Sequence, residues 1–357
     1  MALPILQPSP LSAFDEILEQ ELDERSGRGR LRAARHNRMD DWFYGCHFVG
    51  DPVMPGCWGV DAVWQGLALL AAGLGLKGCD KPLAMEEVRF FGQIRPHDRI
   101  VDYSIELSEV ERSGGDAMVS GRAQVSVDGA PLYSIGLARL GTAFWEAPAS
   151  PPAAATASVP QAPAQAEASR PLGFEEFLHR DHFSSAEIVA LSLGRLVAKP
   201  PIELGLLPAA PMLQVGQVER ISFNPASGEG LIAASLPNGP RDWFYPMSPS
   251  GKPAALSIDG VWQLMGLFLA WRGQPGTGRA LGFERVEIFD AVVASDRLVR
   301  YEVRVLKSGP SGGGGAFVHA DADVFADGRP ILRCVNASVA CHPGIRYSNY
   351  PFAQEAS

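Results

Sequence analysis

The chain has 357 residues, enough for about two ordinary domains. Apolar residues make up 46 % and charged residues 20 %, which excludes a disordered chain and leaves ample material for a core. Lys plus Arg is 31 against 40 Asp plus Glu, so the net charge is −9. With no basic run, this excludes a general nucleic-acid binder, and no stretch reaches the roughly 20 uninterrupted apolar residues of a membrane span.

Taken in chain order, Met1 to Pro10 lacks the basic region and apolar core of a signal peptide. Five cysteines, an odd number, make no disulfide framework. Both features predict a cytoplasmic, reducing setting. The segment from Asp41 to Gln65, DWFYGCHFVGDPVMPGCWGVDAVWQ, holds a histidine, a Gly/Pro-rich turn and a carboxylate just inside an apolar run. Cys57 to Leu76 is rich in Leu, Ala, Val and Trp without proline, which predicts a buried helix opening after Pro55-Gly56. Arg99 to Leu107 alternates apolar and polar residues with the period of a strand. Gly121 to Val127 and Leu132 to Leu140 read as strands joined by a turn at Asp128-Gly129.

Ala147 to Ser169 is almost all Ala, Pro, Ser and Gln and has nothing from which to build a core. It predicts a linker over 147–170 between domains at 1–146 and 171–357. Beyond it the pattern repeats. Asp41-Trp42-Phe43-Tyr44 recurs as Asp242-Trp243-Phe244-Tyr245, 201 positions on. Asp61-Ala62-Val63-Trp64-Gln65 recurs as Asp259-Gly260-Val261-Trp262-Gln263, now 198 positions on, so the second copy has lost three residues in between. Asp98-Arg99 and Asp128-Gly129 recur as Asp296-Arg297 and Asp327-Gly328. A second apolar helix is expected over Ile258 to Trp271, with a strand at Arg297 to Val305. One long apolar helix followed by an antiparallel meander, twice over, predicts an α+β chain of two sheets each wrapped around a helix.

GCHFVGDPVMPGCWGVDAVWQ resembles the active-site segment of the bacterial 3-hydroxyacyl-[acyl-carrier-protein] dehydratases, the FabA-like hotdog enzymes that use aspartate. His47, Gly50-Asp51-Pro52-Val53-Met54-Pro55-Gly56 and Asp61 stand at that family's spacing. Phe183-Ser184-Ser185-Ala186-Glu187, Pro211-Met212-Leu213 and Gly278-Arg279-Ala280-Leu281-Gly282 match it in the second half. The resemblance implies a double hotdog, like the dehydratase domains of polyketide and polyunsaturated-fatty-acid synthases. In such a pair each site joins the histidine of one hotdog to the helix aspartate of the other.

The halves are unequal. Fourteen residues before Asp61 stands His47, whereas fourteen before Asp259 stands Tyr245, and Tyr245 to Pro253 holds no histidine. The resemblance therefore implies one composite site, with His47 as base and Asp259 as acid. Asp61, Gln65 and Tyr245 would form an inactive remnant. Dehydration requires these groups: a neutral imidazole accepts the proton alpha to the carbonyl. A carboxyl kept protonated by burial delivers a proton to the departing hydroxide. The resemblance implies that the Gly56 N–H, with the Cys57 N–H beside it, holds the thioester oxygen at a helix N-terminus. Gln263, one helical turn beyond Asp259, would orient its carboxyl.

The expected activity is a hydro-lyase acting on 3-hydroxyacyl chains carried by the phosphopantetheine of an acyl carrier protein. It requires no cofactor or metal and yields 2-enoyl thioesters for fatty-acid or polyketide synthesis. Members that shift the double bond from 2-trans to 3-cis extend the resemblance to isomerisation. The other implied partners are synthase subunits and a second double hotdog, with neither nucleic acid nor membrane. A non-catalytic scaffold or chain-length gate in a synthase and an acyl thioesterase stay open as alternatives. Taken without the resemblance, His47 is a structural histidine, Asp259 a helix N-cap after Ser257, and Trp64 and Trp262 core aromatics. Cys46, His47 and Cys57 lack zinc-ligand spacing. His36, His97, His179, His182, His319 and His342 lie outside any motif, and Gly309 to Gly315 reads as a flexible hairpin loop.

Overall fold

The computed structural model describes residues 9–145 and 170–345. Apart from Arg170, the Ala/Pro-rich segment lies outside them. The first half runs β1 (Glu16–Asp23), β2 (Arg28–His36), α1 (Gly56–Gly73), β3 (Lys81–Phe90), β4 (Ile100–Ser113), β5 (Asp116–Val127) and β6 (Ala130–Gly141). The second opens with α2 (Phe174–Leu178) and α3 (Ser185–Ser192). It continues with β7 (Gln217–Asn224), β8 (Glu229–Pro237), α4 (Ala254–Trp271), β9 (Thr277–Ile288), β10 (Leu298–Pro310), β11 (Ala316–Ala326) and β12 (Arg329–His342).

All twelve strands form one antiparallel sheet in the order β1-β2-β4-β5-β6-β3-β9-β12-β11-β10-β8-β7. The order reads alike from either end, six strands from each half, with β3 paired to β9 at the seam. Each half wraps its helix, so the chain is a double hotdog. The strands follow the period-two pattern: Val101, Tyr103, Ile105 and Leu107 of β4, and Val299, Tyr301, Val303 and Val305 of β10, are buried against the helices. Both Asp-Gly turns place both residues at positive φ, at Asp128 (46°), Gly129 (84°), Asp327 (45°) and Gly328 (85°), as two-residue hairpins require.

The helices begin where their prolines permit. Pro55 and Pro253 sit at the N-caps, where a missing N–H removes nothing the helix needs. α4 therefore starts four residues before the expected Ile258, and Asp259 lies well inside it rather than capping it. This 18-residue stretch is apolar enough to cross a membrane, but 89 % of it is buried inside the protein, so its apolarity serves the core. α3 carries a capping box between Ser184 and Glu187, in the segment that matched the family pattern.

At the seam, Gly282 has φ 129°, and a Cβ there would stand 1.9 Å from the Val88 carbonyl oxygen. Only glycine lets β9 approach β3 so closely.

Candidate active site

His47 lies two residues beyond a short 3-10 turn (Trp42–Gly45), with its N–H donated to the Phe43 carbonyl at 2.8 Å. Its Nδ1 is 2.9 Å from the Val53 carbonyl oxygen. A carbonyl only accepts, so Nδ1 carries the proton and Nε2 keeps its lone pair. The ring is 6 % exposed, and this burial pushes its pKa down to about 4. The Val53 hydrogen bond and the Asp51 charge oppose the shift, and the Arg279 charge adds to it. His47 is accordingly a neutral base at pH 7.

The loop carrying His47 is fastened to the second half. Asp51 forms a 2.6 Å ion pair with Arg279 of β9, with side chains 2 % and 12 % exposed. Arg279 also donates to Gln93 and to the Gly278 carbonyl. Ala209 donates its N–H to the Cys46 carbonyl, 2.9 Å away, which ties a second-half loop to the residue before His47.

Asp259 is 4 % exposed, and burial raises its pKa to about 6. Hydrogen bonds from Gln263 and Cys57, and the charge of Lys252, pull the other way. Gln263 donates Nε2–H to Asp259 Oδ2 at 2.6 Å and to the Met212 carbonyl at 2.8 Å, while its Oε1 accepts from Gln214 N–H. Its amide is thus fixed from both ends and holds the carboxyl in place.

His47 and Asp259 line one cavity of about 300 Å³ between the halves. Gly56, Gln263, Phe90, Tyr133 and Trp262 line it too. Phe90 packs edge-on to Trp262 across the seam, ring centroids 5.6 Å apart, and a Cβ on Gly56 would lie 3.4 Å from the Phe90 ring. α1 has no side-chain cap, and its first residue, Gly56, lines the cavity with an N–H that has no acceptor one turn earlier in the helix, whereas Cys57 does not line it. Cys57 is fully buried, and its thiol is beside Asp259.

The opposite arrangement differs. Asp61 accepts from Gln65 Nε2 at 2.6 Å, Gln65 is held by Leu11 and Ala13, and burial raises the Asp61 pKa to about 6. Asp61 does not line the cavity. Tyr245 is not the counterpart of His47. Its hydroxyl donates to Asn238 at 2.9 Å as that of Tyr44 does to Asn37 at 2.6 Å, so Tyr245 matches Tyr44. Ser248 takes the histidine's place: its N–H donates to the Phe244 carbonyl, and its Oγ–H to the Gly251 carbonyl as His47 does to Val53. The three missing residues fall after Ser248, which is why counting back from Asp259 lands on the wrong residue. Lys252 stands where Met54 does, and Ala254 where Gly56 does. Among these residues, sequence reasoning gave no role to Asp51, Arg279, Gln93, Phe90 or the 205–208 loop. The first two lay inside motifs already quoted.

Solved structures with this architecture include the dehydratase domain from the CurJ module of the curacin polyketide synthase. It is 13 % identical, with 94 % of this chain and 100 % of that one covered, at TM-score 0.50. An inactive mutant of the CurJ dehydratase in complex with Compound 21 is 14 % identical over 94 % and 99 % of the two chains, at TM-score 0.50. The FabA-like domain family matches twice, over residues 5–136 and 207–334. The two matches together span most of the sequence and each contains one long buried helix, so the chain belongs to the FabA-like domain family, as a tandem of two such domains.

Proposed function

We propose that the protein dehydrates 3-hydroxyacyl thioesters, presented on the phosphopantetheine of an acyl carrier protein, to 2-enoyl thioesters through one composite site. The observation that carries this reading is the shared cavity. It brings a neutral base from one half and a protonatable acid from the other to a single apolar cleft.

His47 Nε2 takes the proton from C2, and the electron pair moves toward the thioester carbonyl. The oxygen of that carbonyl accepts a hydrogen bond from the Gly56 N–H at the helix N-terminus. The C3–O bond breaks as Asp259 delivers its proton, so hydroxide leaves as water and the double bond forms between C2 and C3. Proton transfer from the imidazolium to the carboxylate resets the site. Gln263 keeps the carboxyl aimed, and the Asp51–Arg279 pair keeps the imidazole aimed. The same base serves isomerisation of the 2-enoyl product when it takes a proton from C4 and returns it at C2, which moves the double bond to C3–C4. Synthesis of polyketides or unsaturated fatty acids is the setting this chemistry fits.

The test is mass-spectrometric detection of water loss from a 3-hydroxyacyl thioester. Wild type and Asp61→Asn are expected to turn over, while His47→Ala and Asp259→Asn are not. Equal activity in all four would overturn the composite site.

A further inference from the structure

Lys252 is a buried cation that the mechanism above leaves unused. It is 5 % exposed and sits in the turn just before α4, where its N–H donates to the Val292 carbonyl as the Met54 N–H does to Ile94 in the first half. An ammonium in an apolar interior is unfavourable, and the N-terminal end of a helix adds to that cost rather than relieving it. Among the described residues Lys252 forms no ion pair, and its Nζ donates to the Tyr301 hydroxyl, 3.4 Å away. In the first half an uncharged methionine fills the same position.

Tyr301 of β10 is itself fully buried and leans on α4: a Cβ built on Gly260 would meet its ring and its hydroxyl at 2.7 Å. Gly260 directly follows Asp259 in the helix. These contacts place the ammonium within about 12 Å of the Asp259 Cα. Lys252 does not line the cavity, so any effect on the reaction passes through another group. Asp259 faces Gln263 on its own helix, Cys57 of α1, which Asp61 also faces, Tyr301 of β10, and His47 in the same cavity. The other charge facing Lys252 is Asp242, in the preceding loop.

We infer that Lys252 is a positioning residue for the acid: its ammonium, braced through Tyr301 against the turn of α4 that carries Asp259, stabilises the carboxylate left when Asp259 has delivered its proton. The inference rests on the dehydration proposed above and deepens it. Burial lowers the Lys252 pKa to about 8, against the pull of Asp242 and Asp259, so the ammonium is charged throughout the range in which Asp259 titrates. A unit charge about 12 Å away, at an effective dielectric constant of about 20, changes an acid dissociation constant about tenfold. The acidity of Asp61, whose half carries Met54 instead, is set by burial and by Gln65, which makes Asp61 an internal reference.

The experiment titrates the aspartate carboxyl carbons of the isotope-labelled full chain by NMR, with Asp259→Asn and Asp61→Asn assigning the two signals. In Lys252→Met the Asp259 midpoint is expected to rise by at least about half a pH unit, a threefold weaker acid, while the Asp61 midpoint stays. Lys252→Gln, also uncharged but able to keep the Tyr301 hydrogen bond, is expected to do the same. Lys252→Arg keeps the charge and is expected to leave both midpoints where wild type has them. The alkaline limb of kcat/KM for a 3-hydroxyacyl N-acetylcysteamine thioester is expected to follow the Asp259 midpoint in each variant. The melting temperature of Lys252→Met is expected not to fall, because a desolvated charge is removed. A fall in melting temperature with the Asp259 midpoint unmoved overturns the inference and makes Lys252 the structural counterion of Asp242. An equal rise of the midpoint in Lys252→Arg also overturns it, since charge is then not the cause. If wild type turns over no substrate but the Asp259 midpoint still responds to Lys252, the dehydration fails and the hold of Lys252 on Asp259 stands. Turnover with midpoint and limb unmoved leaves the dehydration standing and removes the role of Lys252.

Discussion

Replacing Arg279 by methionine removes the cation that fastens the His47 loop. The pair is 2.6 Å apart and almost wholly buried, so neither charge is screened by water. Charge centres about 4 Å apart attract by about 4 kcal/mol at an effective dielectric constant of about 20. Breaking such a buried pair from one side costs about 3–5 kcal/mol, because the remaining carboxylate stays in a site built for its guanidinium. Arg279→Met is expected to lose stability in that range by urea denaturation. In a double-mutant cycle with Asp51→Asn, the double variant should recover at least about 2 kcal/mol of the summed single losses. The pair also acts on His47 with opposite signs: the Arg279 charge lowers its pKa and the Asp51 charge raises it. In the proposed mechanism His47 acts only when neutral. The acid limb of kcat/KM therefore moves to higher pH in Arg279→Met and to lower pH in Asp51→Asn. Single losses below about 1 kcal/mol without coupling, or limb shifts of the same sign, would refute the argument.

The proposed mechanism needs both groups in working form, which holds only between the two pKa values, His47 neutral above about 4 and Asp259 protonated below about 6. The kcat/KM profile of wild type is expected to be a bell with limbs near these values, and Gln263→Leu to move the alkaline limb upward, since that hydrogen bond favours the carboxylate. Asp61→Asn is expected to be active and more stable at pH 7. An aspartate raised from 3.8 to about 6 by folding destabilises the native state progressively as pH rises from about 4 to about 6, by up to about 3 kcal/mol. Equal melting temperatures of wild type and Asp61→Asn at pH 7 would contradict this. Gly282→Ala is expected to cost more than about 3 kcal/mol in denaturant titration, because its methyl group meets a backbone oxygen at the seam.

The repeat was legible because most of its anchors are turn and packing devices rather than chemistry. Asp98 and Asp296 accept backbone N–H groups three residues back, and Asp128 and Asp327 do the same for the start of β4 and β10. Tyr44 and Tyr245 each bond an asparagine seven residues away. Such local bonds fix residue spacing, so a sequence displays them. His47, Gly56, Asp259 and Gln263 were legible through the motif and do meet at the cavity wall. The partner of Asp51 was not legible, because it lies 228 residues away and no periodicity links the two. The misplacement of Tyr245 has a physical cause: backbone bonds to Phe43 and Phe244 set the register of the turn, whereas the count was taken from the helix.

The continuous sheet, closed at β3 and β9, carries a consequence for how such a protein can change. In a pair of identical hotdogs every substitution appears twice, so losing the histidine silences both clefts at once. Here the halves are written separately in one chain, and the second can carry Ser248 at the position that holds His47 in the first, while His47 and Asp259 share one cavity. Fusion thus makes each half free to specialise. Ser248 and Ala254, which stand where the first half has His47 and Gly56, are where the two halves have diverged most in chemistry.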